Sequence, residues 1–286
     1  MRFEIRYTAE YRYPEPVTDS LNTLRVQPAV TPFQSVESFD FEVDPDARVQ
    51  KRRDYFGTDV IEFEIGDAHD RLTMVAHASV LTEDPPDPPT GPWESLAEQR
   101  YRQQAGEFLL ADPDQVAPEN TLSELLEAVE AGSPLETALK VSEVIPDRFT
   151  YDPDTTFVGS TVADLVQVGG GVCQDFVHLG LILLRRNRIG ARYVSGYLFA
   201  APPEGGRDSV EVQTHAWLEA LLPPGSGEPR WVGFDPTNRG FAGETHVKIG
   251  HGRNYQDVPP IRGVYRGPAA EELDVAVSMR RVNGSE

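Results

Sequence analysis

VQVGGGVCQDFVHLGLILLRRNRIGARYVSGY, residues 166–197, carries the only cysteine of the 286-residue chain, just past three consecutive glycines. From Cys173 onward, Phe176, Val177, Gly180, Leu181 and Leu184 recur at helical spacing and make one apolar stripe. Cys173 precedes the first two by three and four residues, so it shares their face in the opening turn. Arg185, Arg186 and Arg188 crowd the far end, and Gly190 offers a left-handed stop. A lone cysteine is most often a small buried hydrophobe. At a helix N-terminus, however, unpaired amides and the helix dipole favour thiolate over thiol. Gly169, Gly170 and Gly171 let the backbone come close to a bound molecule and leave amide donors where an oxyanion would sit. These glycines are not a phosphate loop, because no Gly-Lys-Ser/Thr follows and Gln174 takes the third glycine position of the dinucleotide pattern.

A nucleophilic thiol needs a base, and the base needs an acid to orient it. His178 lies about 140° around the helix from Cys173 and reads as a residue that packs or hydrogen-bonds on the helix flank. His69 and His77 fall in N-terminal strands with no acid or thiol pattern beside them, and read as structural. His215 is different. VEVQTHAWLEALLPPGSGEPRWVGFDPTN, residues 210–238, reads as a strand over 210–222, a Pro-Pro-Gly-Ser-Gly turn, and a strand over 229–235. A hairpin centred on Gly225 opposes Glu219 to Trp231, Trp217 to Gly233, and His215 to Asp235, all on one face. Opposed β-carbons are roughly 4.5–5.5 Å apart, near enough for a carboxylate to hold an imidazole. A one-residue slip would send the pair to opposite faces. The competing reading is an ordinary strand histidine and a turn-opening Asp-Pro.

Outside these stretches the chain reads as α+β. Residues 1–83 alternate as short strands with turn punctuation at Pro14, Pro16, Pro45 and Gly57, and predict a β-sandwich. DPPDPPTGP, residues 84–92, reads as a Pro-rich linker. Residues 93–286 then hold a helical segment and the core. Helices are expected over 94–105, over 121–131 with Asn120 or Thr121 as cap and Glu124 behind it, and from Pro134 to Val144. The final β run, Leu273 to Val282, returns to a sheet that the pattern does not identify.

Together, GGGVCQDFVH, THAWLEA and WVGFDPTN, in this order, resemble the transglutaminase-like (papain-like) cysteine enzymes of bacteria and archaea. RFTYDPDTT (148–156) is similar to the segment leading into that family's catalytic helix, and GRNYQDVPPIRGVYRG (252–267) to its C-terminal signature. Residues 1–83 resemble the β-rich N-terminal domain that accompanies such cores. The resemblance implies a papain-like core, with the catalytic helix packed on an antiparallel sheet. It makes Cys173 the nucleophile, His215 the base and Asp235 the orienting acid, with no cofactor and no metal. Gly171, Gln174, Trp217 and Tyr255 are candidates for the oxyanion site and substrate groove. The substrate would be a peptide or protein: water as second nucleophile makes a protease or amidase, a primary amine a transglutaminase, and a catalytically silent binding module is the remaining alternative. Asn254 departs from the signature, where the family usually has Asp. His246, His251 and Asp257 offer metal-type side chains at a spacing that matches no metal pattern.

Acidic residues number 46 against 26 basic ones, a formal net charge of -20. Such a surface repels nucleic acid and anionic membrane. The N-terminus lacks a signal-peptide core, one cysteine allows no internal disulfide, and the cytoplasm is the expected location; the oligomeric state is left open. Lysine occurs only at 51, 140 and 248. The acidity fits either a high-salt cytosol or an acidic, arginine-biased proteome, since self-repulsion opposes compaction unless salt screens it. Adaptation to salt predicts a melting temperature that rises between dilute buffer and molar KCl, and a protein no more stable in KCl ends that reading.

Overall fold

Phe3, Ile5, Tyr7 and Ala9 are buried and the residues between them are more exposed. This period of two opens a strand, β1, running from Arg2 to Leu24. Pro14 and Pro16 lie inside it instead of in turns. They sit where β1 exchanges one set of partners for another, so no ladder hydrogen bond is lost. β2 (Gln34–Asp44), β3 (Gln50–Arg53), β4 (Asp59–Ile65) and β5 (His69–Thr82) complete the N-terminal region. Next come α1 (Gln99–Ala105), α2 (Glu119–Ala128), α3 (Pro134–Arg148), β6 (Thr150–Tyr151), α4 (Val162–Val168), β7 (Gly170–Gly171) and α5 (Cys173–Arg186). The last part holds β8 (Ala191–Leu198), β9 (Ser209–Val212), β10 (Thr214–Leu222), β11 (Arg230–Asp235), β12 (Gly240–Phe241), β13 (His246–Gly252), β14 (Ile261–Arg266) and β15 (Glu272–Arg281). This computed structural model describes residues 1–157, 159–200, 209–212 and 214–282.

An eight-stranded sheet runs β2-β5-β1-β15-β9, and the second half of β1 pairs with β4 and β14. The sandwich is therefore one sheet folded about its longest strand, around Phe3, Ile5, Tyr7, Phe63, Leu72 and Met74. The final β run is β15, which joins β1 over ten residue pairs from Phe3–Arg281 to Arg12–Glu272. Because β9, β14 and β15 come from beyond residue 93, the 84–92 segment divides the sequence but not the sheet. That segment is tied down: Gly91 N–H donates to Pro223 O (2.8 Å), and Arg230 Nη2 donates to Pro86 O (3.0 Å).

The helices differ from expectation at their ends. The 94–105 segment breaks at Glu98 into a 3-10 turn, Trp93–Ala97, followed by α1. α2 starts two residues before Thr121, from Pro118, with no side-chain cap. α3 begins as expected at Pro134, capped by Ser133, but continues through Pro146 to Arg148. In α5, nine of fourteen residues are buried, including Asp175 and His178, so its buried surface extends beyond the one apolar stripe. Arg188, at φ 62°, takes the left-handed position expected of Gly190. Gly190 instead donates its N–H to Tyr101 Oη (2.9 Å), and a β-carbon there would lie 2.9 Å from that of Ala105.

A second, antiparallel sheet has the order β12-β11-β10-β8-β13. Ala216, Leu218 and Ala220 of β10 pack under the helices, whereas Tyr197 of β8 and Val247 and Ile249 of β13 join the sandwich core. The sheet is thus the middle layer between helices and sandwich. Residues 210–222, expected as one strand, are divided: β9 pairs β15 in the first sheet and β10 pairs β8 and β11 in the second.

Gly196 of β8 pairs with His215 and lies beneath the Trp217 ring. A β-carbon there would stand 2.3 Å from Val247 O and 2.4 Å from the indole, so only glycine fits. Gly196→Ala should cost about 1–3 kcal/mol of stability by overpacking, read from urea denaturation. An unchanged midpoint would mean that the ring has room to move.

Candidate active site

Cys173 opens α5 as its first residue and is neither sealed nor fully exposed. The turn before it is held closed. Asp175, in the first turn and buried, accepts from Val172 N (2.9 Å) and from Thr156 Oγ1 (2.7 Å). Burial raises the Asp175 pKa, and these two donors oppose the rise. The glycines serve this packing. Gly169 takes φ 81° as the left-handed cap of α4, with its N–H given to Leu165 O (2.9 Å). A β-carbon on Gly171 would lie 2.7 Å from Asp175 Oδ2. The expectation that all three glycines leave amides free is therefore corrected, because helix capping uses the Gly169 amide. The amides of Cys173 and Gln174 open the helix, where no intrahelical acceptor exists.

The β10–β11 ladder pairs Glu219 with Gly233 and Leu222 with Arg230. This is shifted two residues from a hairpin centred on Gly225, so His215 and Asp235 are not directly opposed. An even shift preserves the faces, and the two meet diagonally at the open end of the hairpin. His215 Nε2–H donates to Asp235 Oδ2 at 2.8 Å. The other ring nitrogen, Nδ1, is free of Asp235, and Cys173 acts on the imidazole through its side chain and its charge. Burial works against a charged ring, but the hydrogen bonds to Asp235 and Cys173, with their charges, outweigh it and push His215 up to about 10. Asp235 is 1% exposed. Burial penalises its charge, yet bonds from His215, His246 and Asn238 hold its pKa far below the usual carboxylate value.

Three neighbours of this pair were not assigned to it from the sequence. His246 Nε2 lies 3.0 Å from Asp235 Oδ2, and Asn238 Nδ2 donates to the same oxygen at 2.7 Å. Asn238 was legible in principle, because an Asp-Pro-Thr-Asn turn returns its third following residue to the aspartate. The third neighbour is Tyr151. Burial raises its hydroxyl pKa, followed by the charges of Cys173 and Asp235. Tyr151, Phe176, Thr237 and Arg239 line a cleft of about 380 Å³. Thr237 Oγ1 is buried there without a partner among the described residues.

The remaining candidates disperse. Trp217 is buried beside the pair, stacked with His215 (6.3 Å between centroids) and edge-on to His246 (5.2 Å). It also lines a cleft of about 840 Å³ toward the sandwich, above the ion-paired Arg192, Glu219 and Lys248. Tyr255 packs against Tyr193 (6.1 Å), and its amide donates to His178 Nε2 (3.3 Å). His178 packs and hydrogen-bonds on the flank of α5, as expected, and burial lowers its pKa to about 4. Asn254 donates to Asp112 Oδ2 (2.5 Å) and accepts from Gln256 N (2.9 Å), so an aspartate here would face another carboxylate. His246, His251 and Asp257 do not converge: His251 accepts from Arg192 (3.0 Å) and Asp257 from the Arg253 amide (2.8 Å). His215, Asp235 and His246 do converge, with ligand-type atoms within 4.8 Å of one another.

Residues 3–81 match the bacterial transglutaminase-like N-terminal region, and residues 123–236 match the transglutaminase-like superfamily. An uncharacterized protein of Mycobacterium leprae is 32% identical over 284 residues, 98% of this chain and 99% of that protein. One from Mycobacterium tuberculosis is 31% identical over 292 residues, 97% of this chain and 92% of the relative. Among solved structures, a candidate cysteine protease from Cytophaga hutchinsonii superposes with a TM-score of 0.76 at 20% identity, covering 100% of this chain and 92% of that one. That likeness establishes the fold.

The geometry has a pH signature. An unfolded histidine releases its proton near 6.5, whereas folded His215 keeps it to about 10. This stabilisation is therefore complete below pH 6.5 and is lost as pH rises through 10. Denaturant-measured stability should fall across that window, and His215→Gln should flatten the slope. Equal slopes in the two proteins would contradict a charged His215 held by Asp235.

Proposed function

This chain belongs to the transglutaminase-like superfamily, and from that premise we propose that it is a thiol-dependent acyl-transfer enzyme acting on peptide or carboxamide bonds, with Cys173, His215 and Asp235 as its triad. The supporting observation is the His215 ring, bonded through Nε2 to a buried carboxylate at 2.8 Å and electrostatically coupled to a partly accessible thiol at a helix N-terminus. The Cys173 sulfur, as thiolate, bonds to the substrate carbonyl carbon, and the oxygen takes the negative charge beside the opening amides of α5. His215 passes its proton to the leaving nitrogen as the C–N bond breaks, leaving a thioester. Water then gives a proton to His215 and attacks the thioester carbon, and the C–S bond breaks to return the thiolate. Asp235 fixes the ring through Nε2 and balances the imidazolium.

We favour hydrolysis because water is always present, whereas amine transfer needs a second channel for the acceptor. The cleft beside Tyr151 and Phe176 would take the acyl side of the substrate.

Cys173 should react rapidly with a thiol-directed electrophile at pH 6–7, and His215→Ala should abolish that speed. Labelling of the native protein as slow as that of denatured protein would favour a catalytically silent binding module. A peptide library with and without an added amine then separates the reactions: new carboxyl termini indicate hydrolysis, amine adducts indicate transfer, and Cys173→Ala should yield neither.

A further inference from the structure

The Asp235 carboxylate is served by more donors than a Cys-His-Asp arrangement requires. Oδ1 accepts the backbone amides of Thr237 (2.9 Å) and Asn238 (3.2 Å), while Oδ2 accepts from His215 (2.8 Å), Asn238 Nδ2 (2.7 Å) and His246 (3.0 Å). The second imidazole does not come from the hairpin. His246 opens β13, an edge strand separated from β10 by β8, and its side chain is 8% exposed.

Its bonds settle its form. Gly243 N–H points at His246 Nδ1 (3.3 Å), and a backbone amide can be received only by a ring nitrogen without a proton. The proton therefore sits on Nε2, directed at Asp235. Trp217 lies edge-on against the ring at 5.2 Å and fixes its orientation.

We propose that His246 is a positioning residue that shares the Asp235 carboxylate with His215 and thereby limits how tightly His215 holds its proton. A carboxylate oxygen with several donors has less charge to offer each one. Undivided, Asp235 would bind the His215 imidazolium more strongly, and His215 would release its proton less readily to a leaving amine. The groups facing this set are His215 from β10, His246 from β13 and Asn238 from the turn after β11. Cys173 of α5 and Tyr151 of β6 lie within electrostatic range. The inference rests on the proposed role of His215, but its test needs no substrate.

Histidine-selective nitrogen NMR reads both parts. In the wild type, His246 should carry its proton on Nε2 and have a bare Nδ1. In His246→Leu, the His215 titration midpoint should rise by roughly half to one pH unit. His246→Gln, whose amide can still donate to Asp235, should return it close to wild type, which loss of packing alone would not do. A proton on Nδ1, an unmoved midpoint, or a glutamine variant that behaves like leucine would each overturn the proposal. If the leucine variant fails to fold, the wild-type assignment and the glutamine midpoint still decide. Slow labelling of Cys173 would defeat the proposed function while leaving the His246 bond to be judged by these spectra.

Discussion

A carboxylate removed from water must have its lone pairs filled, or its charge is too costly to keep. Asp235 meets that requirement at 1% exposure, and much of the core is arranged around the donors it needs. The turn after β11 supplies two backbone amides and the Asn238 side chain, β10 supplies His215, and β13 supplies His246. β8 lies between β10 and β13, and a glycine at 196 is the only way Trp217 can lie across it and wall both imidazoles. The candidate chemistry at the sulfur is thus the outer end of a constraint that begins in the sheet.

The sandwich takes part in this arrangement. Val247 and Ile249 of β13 sit in its core, Ala29 N–H donates to Lys248 O (2.8 Å), and Gln34 Oε1 accepts from Lys248 N (2.8 Å). The strand that delivers His246 is therefore anchored by residues near the start of the chain. Lys248 also shows how scarce lysine is used. Its ammonium is buried against both oxygens of Glu219 at 2.7 Å, with Arg192 on the same carboxylate at 2.5 Å. A buried ion pair gains when its lone pairs and protons are fully engaged, and removing one partner would strand charge in the interior.

The α+β character, the helix at Cys173, the partnership of His215 with Asp235 and the strand periods near the N-terminus were legible, because each depends on local spacing. Parity carried the hairpin argument even though its register was two residues off, since an even shift keeps side chains on their faces. Other features failed for physical reasons. Pro14 and Pro16 resemble breakers, and whether β1 needs a ladder bond there depends on strands far along the chain. α5 reads as amphipathic because its buried Asp175 and His178 are polar by type, although each finds a partner inside.

The amino-acid order by itself determined which side chains could do chemistry: one thiol after three glycines, one histidine on a strand, one aspartate opening a turn. Those assignments follow from periods of 2.0 and 3.6 residues that any chain of this sequence carries. The tertiary structure alone decided that a second imidazole reaches Asp235, that β9, β14 and β15 close the sandwich begun by β1, and that Asn254 answers Asp112. These depend on contacts between segments far apart in the chain, which local spacing does not encode because their geometry is set by how whole layers pack.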